Sequence, residues 1–207
     1  MKRVLNNFAG RVPTIFSILM IVFSISTLFV SYPAVAQGRL SWEIRSGIAF
    51  ATQDLGDADL GTGFGFEGTL AYRFMPHLAG YAGWGWHRFS ADQSFAGTDV
   101  DFEETGYTFG LQFVHPLGKL PLDYFVRGGG IFNHIETENG EGNITADSGH
   151  GLGWQVGAGL AIPLGERWRL MPGVRYRSLS RDIEVGTVST PVDLTYLTVG
   201  VGISRSF

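Results

Sequence analysis

The stretch Tyr196-Leu197-Thr198-Val199-Gly200-Val201-Gly202-Ile203-Ser204-Arg205-Ser206-Phe207 alternates with a period of two. Leu197, Val199, Val201, Ile203 and Phe207 share one face. Tyr196, Thr198, Gly200, Gly202, Ser204 and Ser206 share the other. Only Arg205 interrupts the apolar side. Successive side chains of a strand point to opposite faces, so this pattern predicts a strand with one oily and one polar face. Its length is near the ~9–11 residues that a tilted strand needs to cross a bilayer.

Moving upstream, the same reading repeats seven times. The apolar sets are Leu40, Trp42, Ile44, Ile48 and Phe50; Phe64, Phe66, Leu70, Tyr72 and Phe74; Leu78, Ala82, Trp84 and Trp86; and Tyr107, Phe109, Leu111 and Phe113. Leu122, Tyr124, Val126 and Phe132 follow, then Leu152, Trp154, Val156, Ala158, Leu160 and Ile162, then Trp168, Leu170, Val174 and Tyr176. The connections alternate in length. Residues 75–77, 116–121 and 163–166 read as short turns, whereas 51–63, 90–101, 136–149 and 178–191 read as long loops. Short turns on one side and long loops on the other is the pattern of an outer-membrane barrel, with the short side periplasmic. The expected fold is therefore all-β: an eight-stranded antiparallel up-and-down transmembrane β-barrel. Two aromatic girdles follow from that topology. Trp42, Tyr72, Phe74, Phe113, Tyr124, Trp168 and Phe207 fall at one end, and Phe50, Phe64, Trp86, Tyr107, Phe132, Trp154 and Tyr176 at the other.

The first residues read differently. Lys2, Arg3 and Arg11 precede an apolar run from Ile15 to Val30, and Ala34-Val35-Ala36 supplies a small-residue cleavage pattern. Residues 1–36 are expected to be a signal peptide and 37–207 the barrel. A retained membrane anchor is the alternative, but the run is a little short for a spanning helix of ~20 residues. The 207 residues suit one domain. A net charge of -4 implies no attraction to nucleic acid. Charged residues are 16%, against roughly 25% in an ordinary soluble domain, which argues against a water-solvated surface. The absence of cysteine excludes disulfides, thiolate metal sites and lipoprotein anchoring.

The polar face decides between a lipid-facing barrel and a soluble barrel with an oily inside. A water-facing surface is rich in Lys, Glu and Asp. Here that face carries Gly47, Gly65, Gly83, Gly85, Gly106, Gly110, Gly129, Gly153, Gly157, Gly159, Gly173, Gly200 and Gly202. Such a face suits the narrow interior of eight strands, where small residues make room for large ones. The large neighbours are charged, and an internal arginine–carboxylate network of Glu43, Arg45, Glu67, Arg73, Asp123, Arg127, Arg169 and Arg175 is predicted. Gln112 and Gln155 should attach to it, and Glu104 and Arg177 share the inward parity. Glu43, Arg73, Asp123 and Arg169 are expected low in the lumen, the others near its middle. Buried charges are tolerable only when paired. Pro172 sits inside the seventh strand, where it removes a ladder hydrogen bond and invites a bulge or register shift.

With its terminal strand Tyr196 to Phe207 and the hairpin Val156 to Tyr176 around Ile162-Pro163-Leu164-Gly165, the chain resembles the small outer-membrane barrels, the outer-membrane protein A membrane domain and opacity-type surface proteins. The resemblance implies export to the bacterial outer membrane and Phe207 as the final aromatic of a signal read by the barrel-assembly machinery. The peptidoglycan-binding activity that outer-membrane protein A carries in a domain after its barrel is not carried over, because the sequence given ends with the last strand.

For function, the leading expectation is a monomeric, non-enzymatic barrel with a filled polar interior and a structural or surface role, partnered by the lipid bilayer and lipopolysaccharide. Its loops are acidic, and Asp54, Asp57 and Asp59 form a candidate loop for divalent cations or a host surface. That stretch lacks the spacing of an EF-hand, and no cofactor or defined metal centre is expected. A lipid-modifying enzyme is the first alternative. His87, His134 and His150 are expected near the outer rim, with Ser148 and Glu136 close to the last two. Against catalysis, Val174-Arg175-Tyr176-Arg177-Ser178 has no His two residues before its Ser. A narrow channel is the second alternative. Eight strands leave almost no pore, and passage of small hydrophobic molecules would require an apolar lumen at the outer end, whereas the inward set reads as polar.

Overall fold

A computed structural model describes residues 38–185 and 188–207. The expected signal peptide, 1–36, lies outside the described residues. The strands are β1 (Leu40–Ala51), β2 (Gly63–Arg73), β3 (Leu78–Ser94), β4 (Gly97–Pro116), β5 (Asp123–Glu138), β6 (Ile144–Asp147), β7 (Gly151–Pro163), β8 (Trp168–Val185) and β9 (Val188–Ser206). Every pairing is antiparallel. Each ring strand pairs with its sequence neighbours, with β5 pairing directly with β7, and β1 with β9 closes the circle. Eight strands form the ring. The short β6 pairs with the upper end of β5 only, inside what reads from sequence as the third loop.

The lipid-facing surface follows the predicted parity. Ile44, Ile48, Leu70, Phe109, Leu111, Val156, Val174, Val199 and Val201 are exposed, as oily side chains in a bilayer should be. At the periplasmic end Trp42 packs edge-on against Trp168, with centroids 5.5 Å apart, and Phe113 lies 6.2 Å from Tyr124. At the outer end Phe64 meets Trp86 at 5.3 Å and Trp154 meets Tyr176 at 5.4 Å. Arg205, the interruption in the last strand, lays its guanidinium 5.4 Å from the Trp168 ring centre and 5.6 Å from that of Phe207. Cation–π contact at the headgroup level accounts for a charge on the lipid face.

Two of the expected loops are strands. Residues 90–101 and 178–191 lie largely within long hairpins, β3–β4 and β8–β9, paired nearly to their tips. The hairpins sit opposite one another in the ring, separated by β1 and β2 on one side and by β5 and β7 on the other. From Trp86 to Ser94, β3 continues about 25 Å beyond the outer girdle at ~3.3 Å per residue. The physical reason for the misreading is an inversion of polarity. Within the bilayer the outward residues are oily and the inward ones are glycine or charged. Above it the outward residues of β3 become Arg88, Ser90 and Asp92, while Phe89 and Ala91 turn inward and are buried. On β8, Ser178, Ser180 and Asp182 face out and Leu179 and Ile183 are buried. The outer solvent changes from lipid to water, so the apolar face changes sides.

Those inward side chains make the main apolar core. Ala49, Leu55, Ala58, Phe89, Phe102, Ile131, Ile135, Leu179, Ile183, Leu194 and Tyr196 are each 0–1% exposed and pack together. Leu55 and Ala58 come from the β1–β2 loop, which folds over the mouth. They exchange two backbone hydrogen bonds of 3.0 Å. The loop is tied to both hairpins: the Phe95 N–H donates to Asp57 Oδ1 at 2.7 Å, and the Thr52 N–H donates to the Thr195 carbonyl at 2.9 Å. The expectation of a polar interior throughout is therefore corrected. The middle is polar, but the outer half is a packed apolar cap.

Pro172 causes no bulge. The β7–β8 register is the same on both sides of it, from Gly159 opposite Gly173 to Ile162 opposite Leu170, and only the rungs at Leu160 and Ala161 are missing. The inward parity of Arg169, Arg175 and Arg177 is thereby kept.

Candidate functional site

Below the cap lies the ionic layer. Arg45 Nε donates to Glu43 Oε1 at 2.8 Å, and Arg127 donates to Glu43 Oε2 at 2.6 Å and to Gln112 at 2.9 Å. Arg175 reaches Glu67 at 2.5 Å, and Arg177 also bonds Glu67. Arg177 goes on to Glu104 at 3.2 Å, Gln155 at 3.0 Å and the Tyr196 hydroxyl oxygen at 3.2 Å. Tyr196 and Asn133 donate to Glu104, and Gln155 donates to Tyr81 at 2.9 Å. All these side chains, Tyr81 and Tyr196 included, are buried on the inner face of the ring.

Facing glycines make the room. Gly47 lies opposite Gly200, Gly110 opposite Gly129 and Gly159 opposite Gly173. A Cβ on Gly159 would sit 2.8 Å from the Phe125 ring, and one on Gly202 2.5 Å from Glu43 Oε1. Beside Arg45, Glu67, Arg127 and Thr198 there remains a cavity of about 20 Å³. That is enough for one water molecule and too little for a conduit.

Of the eight predicted network residues, Glu43, Arg45, Glu67, Arg127 and Arg175 come together, and Glu43 joins the middle layer instead of sitting low. Asp123 and Arg169 form a separate pair at 3.6 Å on the periplasmic rim. Arg73 belongs to neither; it donates to the Gly38 carbonyl at 2.8 Å and is exposed. Arg73, Asp123 and Arg169 line a periplasmic vestibule of about 370 Å³. Arg177 and Glu104 are the most connected pair of the network, and their inward parity is the signal that finds them. His87 is a correction: it is buried in the lumen, its Nδ1 3.3 Å from Glu104, and not on the outer rim.

The second polar region lies on the outward face just above the girdle. Arg88 pairs with Asp101, with Glu103 at 3.2 Å and with Glu138 at 3.2 Å, and the Trp86 Nε1–H donates to Glu103 at 2.8 Å. Next to this lie His134 and Glu136 on β5, Asp147 on β6 and His150 just before β7. The His134 Nδ1 is 2.9 Å from Asp147 Oδ1 and 3.8 Å from Glu136 Oε1. His150 stacks on His134 with ring centres 4.3 Å apart and planes 15° apart. Burial pushes the Asp147 carboxyl up, but the hydrogen bonds from His134 and the Gly149 N–H outweigh it and hold it below the usual carboxylate range. Ser148 accepts from the Ile135 N–H at 2.8 Å and donates to the Gly149 carbonyl at 3.1 Å. No hydrogen bond joins it to either imidazole among the described residues.

Asp54, Asp57 and Asp59 point away from the buried Leu55, Ala58 and Leu60, and Asp57 and Asp59 line an open groove with Asp92. Among the described residues, the group whose ligand atoms converge is His134, Glu136 and Asp147.

Known proteins share this architecture. Neisserial surface protein A superposes with a TM-score of 0.58 at 16% identity, covering 82% of this chain and 97% of its own. OprG of Pseudomonas aeruginosa gives 0.54 at 15% identity, covering 83% and 98%. Outer membrane protein W of E. coli gives 0.54 at 11% identity, covering 84% and 100%. At these identities the likeness is one of fold. No curated protein matches the chain by sequence. The profile of the outer membrane protein beta-barrel domain matches residues 22–207, and with the closed ring, the lipid-facing belt and the two girdles it shows that this chain belongs to the outer membrane beta-barrel family and resides in the bacterial outer membrane.

Proposed function

We propose that the protein is a closed, non-conducting surface barrel whose extracellular hairpins are its working part. The observation that carries this reading is the filling of the lumen from its middle to its outer mouth. The ionic layer seals the middle, and the cap of Leu55, Phe89, Phe102, Ile131, Leu179 and Leu194 seals the outer half. A lumen packed to this degree is a core, not a path. The barrel then acts as a rigid stalk that holds the β3–β4 and β8–β9 hairpins above the membrane, toward lipopolysaccharide or another surface partner. Residues 1–36 act as the export signal and Phe207 as part of the assembly signal in this reading. No catalytic role is proposed.

Passage of small hydrophobic molecules is the second reading, and one observation favours it: the outer lumen is apolar. The test separates the two. Refolded barrel is placed in planar bilayers and in vesicles loaded with a hydrophobic dye reporter. A closed barrel gives neither steady conductance nor accelerated dye entry. Dye entry that Leu55→Trp abolishes would replace the stalk with a hydrophobic passage, and steady ionic current would overturn both.

A further inference from the structure

We propose that the outward face of β5, β6 and the start of β7 binds a divalent transition-metal ion of the Zn²⁺ class, through His134, Glu136 and Asp147, with His150 stacked beside them as a fourth donor within reach. The proposal does not depend on the lumen being closed.

The four side chains form two adjacent rows across the strands. Glu136 is the β-ladder partner of Asp147. One alternate position down β5, His134 faces His150, just beyond the last rung at Asn133 and Gly151. Ligand atoms of His134, Glu136 and Asp147 all lie within 4.8 Å of one another. An ion bound at about 2.0–2.1 Å in a tetrahedron has donors roughly 3.4 Å apart. The separations of His134 Nδ1 from Asp147 Oδ1 and Glu136 Oε1, 2.9 and 3.8 Å, bracket that value, and His150 joins the ion by turning its ring out of the stack on His134. The Gly149 N–H donates to Asp147 Oδ1 at 2.8 Å and fixes the carboxylate, the kind of outer support that orients metal ligands. His150 is held in turn by Phe132, its ring 5.3 Å away.

The neighbouring charges point the same way. Arg88 is engaged by Asp101, Glu103 and Glu138, so it leaves Glu136 and Asp147 to the imidazoles. Two imidazoles beside two carboxylates select a borderline cation, because Ca²⁺ and Mg²⁺ prefer sets made only of oxygen. The place fits as well: an ion here sits at the top of the girdle, at the level of lipid headgroups.

The test uses the full mature barrel refolded in detergent, with ZnCl₂ as the probe and calorimetry as the readout. One Zn²⁺ per barrel is expected. His134→Ala and Asp147→Asn should each weaken it about tenfold or more, and His150→Ala should also weaken it. Asp54→Asn/Asp57→Asn/Asp59→Asn should leave it unchanged within about twofold. CaCl₂ should not compete. A second measurement needs no variant: Zn²⁺ should protect His134 and His150, but not His77 or His115, from diethyl pyrocarbonate, as read by peptide mass spectrometry. Absence of saturable Zn²⁺ binding below about 1 mM, competition by equimolar Ca²⁺, or binding lost only in the triple aspartate variant would each overturn the proposal.

Discussion

Arg177→Met is the most informative perturbation of the interior. Arg177 is 1% exposed and is the only arginine or lysine within ion-pair distance of Glu104 among the described residues. Glu67 keeps Arg175 at 2.5 Å when Arg177 is lost, so the damage falls on Glu104. Glu104 is left with Tyr196, Asn133 and His87 around an uncompensated buried charge. Breaking a buried pair from one side costs about 3–5 kcal/mol, or roughly two to three and a half decades in the folding equilibrium at ~1.4 kcal/mol per decade. With a urea dependence of about 2 kcal/mol per molar, the unfolding midpoint should fall by about 2 M. The assay is urea titration of the barrel in lipid–detergent micelles, followed by tryptophan fluorescence and by the mobility difference between unboiled and boiled gel samples. Arg177→Met/Glu104→Gln removes the stranded charge and should recover at least half of the loss. A single variant within about 0.5 kcal/mol of the parent, or a double variant whose loss equals the sum of the two singles, would refute the reasoning, because the network would then not be coupled.

Other predictions concern the scaffold. Gly159→Val should lower stability by about 1–3 kcal/mol through overpacking against Phe125 and the Pro172 carbonyl, measured by the same urea titration. Pro172→Val should restore the rungs at Leu160 and Ala161 and stabilise the barrel by about 1 kcal/mol; slower amide exchange at residues 160–172 checks it. Arg205→Ala should cost about 0.5–2 kcal/mol, and Arg205→Lys less, through loss of the contacts with Trp168 and Phe207. Phe207→Ala should reduce the yield of heat-modifiable barrel in membranes more than it reduces refolding in detergent, if the side chain is read during assembly.

The strand parity in the bilayer, the two girdles, the closure of eight strands and the inward parity of the arginines and carboxylates were legible because one rule governs all of them. Lipid outside forces oil outward, and a narrow lumen forces glycine and charge inward. The rule stops at the outer girdle. Beyond Trp86 and Tyr176 the outer solvent is water, so the inward Phe89, Val100, Phe102, Leu179 and Ile183 carry the apolar signal. A reading that expects oil on the outward parity sees only loops there, and the cap is missed. The inward parity of Arg73, Asp123 and Arg169 was correct, but parity does not report height. Those residues lie on the rim, too far down the ring to reach the middle layer. The convergence of His134, Glu136, Asp147 and His150 depends on β6 folding back on β5, a local pairing that spacing alone does not reveal.

The apolar cap also divides the molecule between two driving forces. In the bilayer, outward side chains are covered by lipid and not by one another, and the wall is locked by its closed ladder of hydrogen bonds, which has no water to compete with it. The cap is assembled from water and is held by the hydrophobic effect, whose strength falls on cooling and in urea. The extracellular third should therefore behave as a cooperative unit of its own, opening below the global unfolding free energy while the membrane ring stays closed. Dilute urea should then loosen the mouth before it reaches the wall.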